Sequence, residues 1–523
     1  MFVRKKKNRS GTTTVVVVNK KHNRFREVHN LGTSSDPDEI AEMVVRAEAW
    51  IADHGGLQGK LDLFPEERMV SQAEIMSCIR EIRQDAAVRL LEKVYASIGF
   101  DSIGDKILRD LAIARVCEPR SKLATVDYMR RYWGEDYHYQ QVYRYLDELY
   151  NNKKEEVLRI AVEHTRRILG GVITVAFYDV TTLYFESFRE DVLRAPGFSK
   201  DGKTAEAQIV LGLLVSRDGY PLAYSLFNGA QFEGRTMIPI VDDFIQRYDI
   251  KDFVLVADSG LMSKKNVELL RTGNYKYVIG ARIRGEAKSL REWILSLEKK
   301  DGCLYEKTKD DGDRLIVSYT DNRAEKDAFN RQRGVKRLEQ TFKSGRITKD
   351  KINRRGYNKF LTVSDDVTVS IDMEKVKADA SWDGWKGYIT NTDLPMRECI
   401  EQYHGLWVVE RSFRITKGTL DARPVFHFTE RRIEAHICLC FVALKLYKEF
   451  QRQLTEMNFP LSADKVLDIA KTLSTVTIEM PNGDRVTQTL SPFGISMVTV
   501  ESVLAMSSTL SALSGKFISV SCR

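Results

Sequence analysis

Two aspartates stand where apolar segments give way to polar ones. Asp179 stands at the end of the expected strand Val172–Val180, one residue before its close, in Ala-Phe-Tyr-Asp-Val-Thr, and Asp258 follows Phe253–Ala257, in Leu-Val-Ala-Asp-Ser-Gly. An acid at the polar end of an apolar strand sits at the rim of a sheet, where functional residues concentrate. Two neighbouring strand ends would bring the carboxylates together, and like charges at short range repel unless a cation lies between them. Hard oxygen donors select Mg²⁺ or Mn²⁺ for that place. Taken singly, each Asp also reads as a strand terminator or a helix cap. A third acid lies in Gln402–His427, QYHGLWVVERSFRITKGTLDARPVFH, where Tyr403, Glu410 and Lys417 are spaced by seven. Seven helical residues turn through about 700°, about 20° short of two full turns, so the three side chains form one stripe. Val408, Val409, Phe413 and Leu420 are left to face a core. Glu410 then stands beside Tyr, Lys and Arg groups that suit a phosphate. A coiled coil would put apolar residues at this spacing; a solvated helix face would carry similar polar pairs. His404 and His427 have no metal-ligating partner at helical or hairpin spacing, and no Ser/His or Cys/His arrangement is evident.

The elements that must position these residues follow from hydrophobic periodicity. Strands are expected at Val172–Val180, Ala207–Ser216 and Tyr220–Phe227, with Arg217-Asp218-Gly219 as a tight turn. Helix Met237–Tyr248, strand Phe253–Ala257, helix Ser263–Arg271 and strand Tyr277–Ala281 come next. This β-β-β-α-β-α-β order suggests a mixed sheet flanked by helices, and is how RNase H-like nuclease folds begin. Residues 285–380 are polar and intermittently β-like. A short strand, Gly387–Asn391, and two helices, Met396–Lys417 and Glu430–Leu454, are expected beyond them. Upstream, Thr12–Val18 and Arg24–Asn30 read as a basic hairpin, Asp36–Asp53 as a helix, and Ser71–Leu169 as mainly helical. The tail suggests a helix from Ser462 and a hairpin around Pro481-Asn482-Gly483-Asp484.

Composition excludes several classes. A chain of 523 residues suggests roughly two to four domains. A hydrophobic content of 43% supports real cores rather than disorder. No apolar run approaches the ~18–20 residues of a membrane span, and the basic start lacks the apolar core of a signal peptide. The seven cysteines are scattered with no CxxC pair, which points to a reducing cytoplasm. The net charge of +8 conceals an asymmetry. Residues 1–30 carry +8 and residues 331–360 carry +9, leaving the rest of the chain at −9. Clustered positive charge of this kind is a footprint for nucleic acid.

The Tyr403–Lys417 segment resembles the C-terminal signature of bacterial insertion-sequence DDE transposases, Tyr-x2-Arg-x3-Glu-x6-Lys. Tyr403, Glu410 and Lys417 match; the Arg position holds Leu406. Trp407 and Leu420–His427 extend the likeness, as do Tyr178–Glu186, Val256–Asn266 and Pro119–Ala124. The resemblance spans Ala114–Phe450. It implies an α/β fold: an RNase H-like core with a mixed five-stranded sheet and flanking helices, interrupted by a mainly β insertion. A β-hairpin plus helical N-terminal domain precedes it. The expected divisions are 1–60, a DNA-binding helical domain at 61–169, core at 170–284, insertion at 285–382, core at 383–455 and a C-terminal region at 456–523. Asp179, Asp258 and Glu410 would be the catalytic triad holding two Mg²⁺ ions, with Mn²⁺ able to substitute. Tyr403, Lys417, Arg411, Arg414, Arg423, Arg354, Arg355 and Lys351 would contact DNA. Partners would be double-stranded DNA, both transposon terminal inverted repeats and target, bridged by a homodimer in the bacterial cytoplasm at the nucleoid, with no membrane. The resemblance also draws attention to Trp382 and Trp385, either as platforms for a flipped base or as packing beneath the sheet edge. An RNase H-like nuclease without strand transfer, or a transposase-derived DNA-binding protein, would share much of this pattern.

Overall fold

The computed structural model describes residues 1–21, 24–54, 77–197, 205–231, 235–250, 253–261, 263–343, 356–363, 369–480 and 483–490. The chain divides into two compact units, Met1–Cys78 and Ile79–Arg523.

In the first unit, β1 (Phe2–Lys7), β2 (Thr13–Lys21) and β3 (Arg24–Ser34) form an antiparallel sheet in that order. Helix Pro37–His54 packs Ala47 against Val15 and Val17. The expected hairpin therefore gains a third strand. Its Arg-Lys-Lys-Lys run hides the alternation from a hydrophobic reading, and such basic residues are common on edge strands.

The second unit begins with β4 (Ile79–Arg83), followed by helices over 86–168. Five strands come next: β5 (Val175–Tyr184), β6 (Gln208–Ser216), β7 (Pro221–Asn228), β8 (Val254–Ala257) and β9 (Lys276–Ala281). β5, β6 and β7 are antiparallel neighbours, while β8 runs parallel to both β5 and β9. Beyond β9 lie β10 (Leu304–Thr308), β11 (Arg314–Tyr319), the small pair β12 (Leu361–Val363) and β13 (Val369–Ile371), and β14 (Trp385–Thr390). β14, β11 and β10 join the edge at β9, so the expected five-stranded sheet has eight strands, ordered β10-β11-β14-β9-β8-β5-β6-β7. The tail adds β15 (Ser474–Glu479) and β16 (Arg485–Leu490), which pair with β4. The stretch read as mainly helical from Ser71 thus contains a strand, one whose partner lies almost four hundred residues away and leaves no local signal.

Every residue of β6 is buried, as expected for a strand covered on both faces. Odd residues Ile209, Leu211 and Leu213 share one core with Phe177, Val408, Val409 and Phe413. Even residues Val210 and Leu214 share the other with Tyr178, Ile240 and Phe244 of helix Met237–Tyr248. The long helix Glu430–Glu456 lies on the first face, with Cys438, Phe441 and Val442 inside. The β6–β7 turn needs Gly219: its φ is +82°, and a Cβ there would meet Val408 Cγ1 at 2.6 Å.

Two further expectations change. The insertion is mixed rather than mainly β, and its longest element is the helix Asp321–Lys343. That helix is so polar that hydrophobic periodicity barely marks it; Val335 and Leu338 face a small core with Phe360 and Leu361. The expected continuous helix Met396–Lys417 is broken. Helix Met396–His404 ends at Gly405, helix Trp407–Arg414 follows, and a wider π turn covers Ile415–Thr419. Short-range bonds from Leu406 N to Tyr403 O and from Val408 N to Gly405 O tighten the break. Gly405 is required there, since a Cβ would meet Phe177 Cζ at 2.4 Å.

Candidate active site

The β5–β8 register sets the site. Tyr178 pairs with Ala257 across the two parallel strands, so Asp179 and Asp258 are the next residues across that pair; Asp258 follows the end of β8 as expected, whereas Asp179 lies within β5, which runs on to Tyr184, and not at its end. Parallel strands lie about 4.8 Å apart. Side chains alternate, so Asp179 shares the face of Phe177 and Asp258 that of Val256, the face covered by helix Trp407–Arg414. Glu410 projects from that helix. All three acids line one cavity of about 400 Å³, with Lys386, Tyr403, His404, Leu406 and Trp407. An adjoining cavity of about 480 Å³ is walled by Asp179, Glu410, Arg414, Lys417 and Arg423. A third, of about 520 Å³, opens on the other side and shares Asp258, Lys386 and Tyr403; Arg282, Arg284, Arg323 and Trp382 complete its charged and aromatic wall.

Tyr403 is buried, and its hydroxyl donates to Asp258 Oδ1 at 2.6 Å. The protein packed around Asp258 works to raise its pKa. The Tyr403 hydrogen bond, the backbone N–H groups of Ser259 and Gly260, and the Lys386 charge outweigh that, so the carboxyl lies below the ordinary range. Asp258 is therefore held ionised while still reaching solvent. Burial and the ionised Asp258 push Tyr403 upward, which keeps its proton in the bond. Lys386 is lowered by burial and by Arg323, partly offset by Asp258. His404 is lowered by burial and by Lys386.

The other expected contacts divide. Lys417, Arg414 and Arg423 gather beside Glu410 and Asp179. Arg411 points elsewhere: it lines a separate cavity of about 580 Å³ with Asp218, Lys448 and Arg452. Lys351, Arg354 and Arg355 lie outside the described residues. Trp385 is buried and packs against Tyr319, Trp382 is half-buried, and both line the third cavity. Lys386 went unmarked because the strand was expected to start at Gly387, two residues later than its actual start at Trp385. The trace it leaves is one charge in an apolar strand, between Trp385 and Gly387.

Among the described residues, no three His, Cys, Asp or Glu side chains converge closely enough to grip a single ion. The three carboxylates would nevertheless offer the oxygen donors that hard divalent cations take. The cavity's acids are all carboxylates, and no thiol lines it. Among the described residues, no helix is long and apolar enough to cross a membrane.

No curated protein matches the chain. Among solved structures, the chain is similar to the piggyBac transposase synaptic complex with hairpin DNA, at 9% identity and a TM-score of 0.37, over 74% of this chain and 77% of that one. It is also similar to the Mos1 transposase paired-end complex with left transposon end, at 11% identity and a TM-score of 0.15, over 45% and 66% respectively. The family model described as "Transposase DDE domain" matches residues 170–446, a span that includes Asp179, Asp258 and Glu410. The chain therefore belongs to the DDE transposase family, enzymes that cleave DNA and transfer the cut strand.

Proposed function

We propose that this DNA transposase has an RNase H-like core in which Asp179, Asp258 and Glu410 hold two Mg²⁺ ions at a transposon end. The observation that carries the reading is the parallel β5–β8 register, with Asp179 and Asp258 adjacent and Glu410 in the same cavity. The strand order β7-β6-β5-β8-β9 supports the choice of core. Bound divalent metal supplies Lewis-acid activation of the attacking oxygen and charge stabilisation on the leaving one. The chain's own groups do the rest. Tyr403 fixes the Asp258 carboxylate. Arg414, Lys417 and Arg423 hold backbone phosphates beside Glu410, which orients the strand without reading its sequence. Water attacks a phosphodiester at the transposon end, and the P–O bond to the 3′ oxygen breaks to free a 3′-OH. That hydroxyl attacks a target phosphate, forming a new P–O bond as the target's own 3′ oxygen leaves. A homodimer bridging two terminal inverted repeats would couple the ends, with the basic patches at 1–30 and 331–360 adding phosphate contacts.

The decisive assay supplies a pre-cleaved transposon end, a supercoiled target and Mg²⁺. Wild type joins the two, and Glu410→Gln lowers joining at least about a thousandfold while retaining end binding. Cleavage of intact ends without any joining of pre-cleaved ones would favour the nuclease reading instead.

A further inference from the structure

The three acids lie between two cationic lobes. On the Glu410 side are Arg414, Lys417 and Arg423. On the Asp258 side are Lys386, Arg282, Arg284 and Arg323. The members of this second lobe differ in what already holds them. Arg284 is paired with Asp379, Arg323 stands 3.6 Å from Asp327, and Arg282 donates to the Gly260 carbonyl at 3.2 Å. Lys386 has no carboxylate within ion-pairing distance among the described residues. Its ammonium instead rests over the faces of Tyr403 and Tyr388, 4.4 and 5.4 Å from the ring centroids. Those rings pack edge to face, 5.0 Å apart, and Tyr388 is almost fully buried. The platform is rigid, because Lys386 belongs to a strand paired on both sides and Tyr403 is tied to Asp258. A half-buried ammonium held by aromatic faces, beside an ionised carboxylate but not paired to it, is placed for an anion that arrives from outside. The position in the Tyr403–Lys417 segment where the resembled signature carries Arg holds Leu406 here, buried in the same cavity wall. Arg411, the next cation along, lines a different cavity.

We infer that Lys386 is a positioning residue for the DNA strand, its ammonium holding the backbone phosphate next to the scissile one on the Asp258 side. The strand would then cross the acids from one cationic lobe to the other, held at both ends. This rests on the carboxylates being the cleavage site, but the contact itself is one of binding and can be read without any chemistry.

The test uses the full chain, without divalent metal, and duplexes of the element's own end. Single methylphosphonates, which remove one phosphate charge at a time, are placed at successive positions around the cleavage point. Anisotropy gives the Kd of wild type, Lys386→Met, Lys386→Gln and Lys386→Arg, with thermal unfolding as the folding control. Wild type should lose about tenfold in affinity at one methylphosphonate position beside the scissile phosphate. Lys386→Met and Lys386→Gln should bind unmodified DNA about tenfold more weakly and lose nothing further at that position. Lys386→Arg should restore both behaviours. Folded neutral variants that bind as tightly as wild type, or whose losses multiply with every methylphosphonate, would overturn the assignment. Because no cleavage is scored, the outcome stands whether or not Asp258 proves essential to catalysis.

Discussion

Tyr403 ties a proposed DNA-facing segment to one of the acids beside it, through a 2.6 Å hydrogen bond to Asp258. The sequence pattern marked this residue for phosphate, yet its hydroxyl is committed to a carboxylate and its ring to Lys386. Tyr403→Phe should therefore slow cleavage rather than weaken binding. A hydrogen bond to a charged group contributes about 1.5–3 kcal/mol, so single-turnover cleavage should fall roughly 10- to 100-fold with end affinity unchanged. An affinity loss with an unchanged rate would return Tyr403 to a phosphate-binding role. At this scale the acids were the legible part. Both aspartates read as ends of apolar strands, which holds for Asp258 and not for Asp179, since β5 continues through Val180–Tyr184; Glu410 falls in a spaced polar stripe. Lys386 was not legible, because its meaning depends on two aromatic rings, Tyr388 of its own strand and Tyr403 of the helix that follows, which only the fold brings under its ammonium.

The elements holding these residues depend on close approach. Gly405 lets the broken helix pass over β5, and an added Cβ would meet Phe177 Cζ at 2.4 Å. Gly405→Ala should cost about 1–3 kcal/mol in denaturant unfolding, and cleavage should drop further because Glu410 sits five residues on. Cleavage that merely follows the folded fraction would show that the break does not position Glu410. The insertion helix Asp321–Lys343 raises a different question. Part of the basic patch at 331–360 is spent inside the protein, since Arg331 pairs with Asp383 at 2.6 Å and Lys359 with Asp379. Arg333, Lys336 and Arg337 remain exposed. Replacing these three with Gln should flatten the dependence of log Kd on log salt by up to about 0.9 per residue in phosphate contact. An unchanged slope would make this helix a solvated surface. Strands and helices with strong periodicity were readable to within a few residues, as for Met237–Tyr248. The insertion helix and β4 were not, because the first buries little and the second is defined by a distant partner.

For the second unit as a whole, buried histidines set a dependence on acid. Burial pushes His164 down to about 4, despite the nearby Glu449 carboxylate. Burial and the surrounding cations Lys122, Arg115 and Arg432 push His427 down to about 3. Both are neutral in the folded protein at pH 5, whereas the unfolded chain protonates them below about 6.5. The unfolded state therefore binds more protons as pH falls, and stability drops with it. The contribution is complete above about pH 6.5 and disappears as pH falls towards 4 for His164 and 3 for His427. Each histidine should add about 1.4 kcal/mol per pH unit within its window. Denaturant unfolding of His427→Gln across pH 4.5–6 should show a slope shallower by about that amount. Equal slopes would mean that His427 is not held neutral.

The claim on which the rest depends is that Asp179, Asp258 and Glu410 form one metal-dependent cleavage centre. It is tested most directly by Mg²⁺-dependent nicking of transposon-end DNA in wild type and Asp258→Ala, both verified as folded and end-binding. Nicking should require Mg²⁺ in wild type and fall at least about a thousandfold in the variant. Equal nicking by the two proteins would contradict the account.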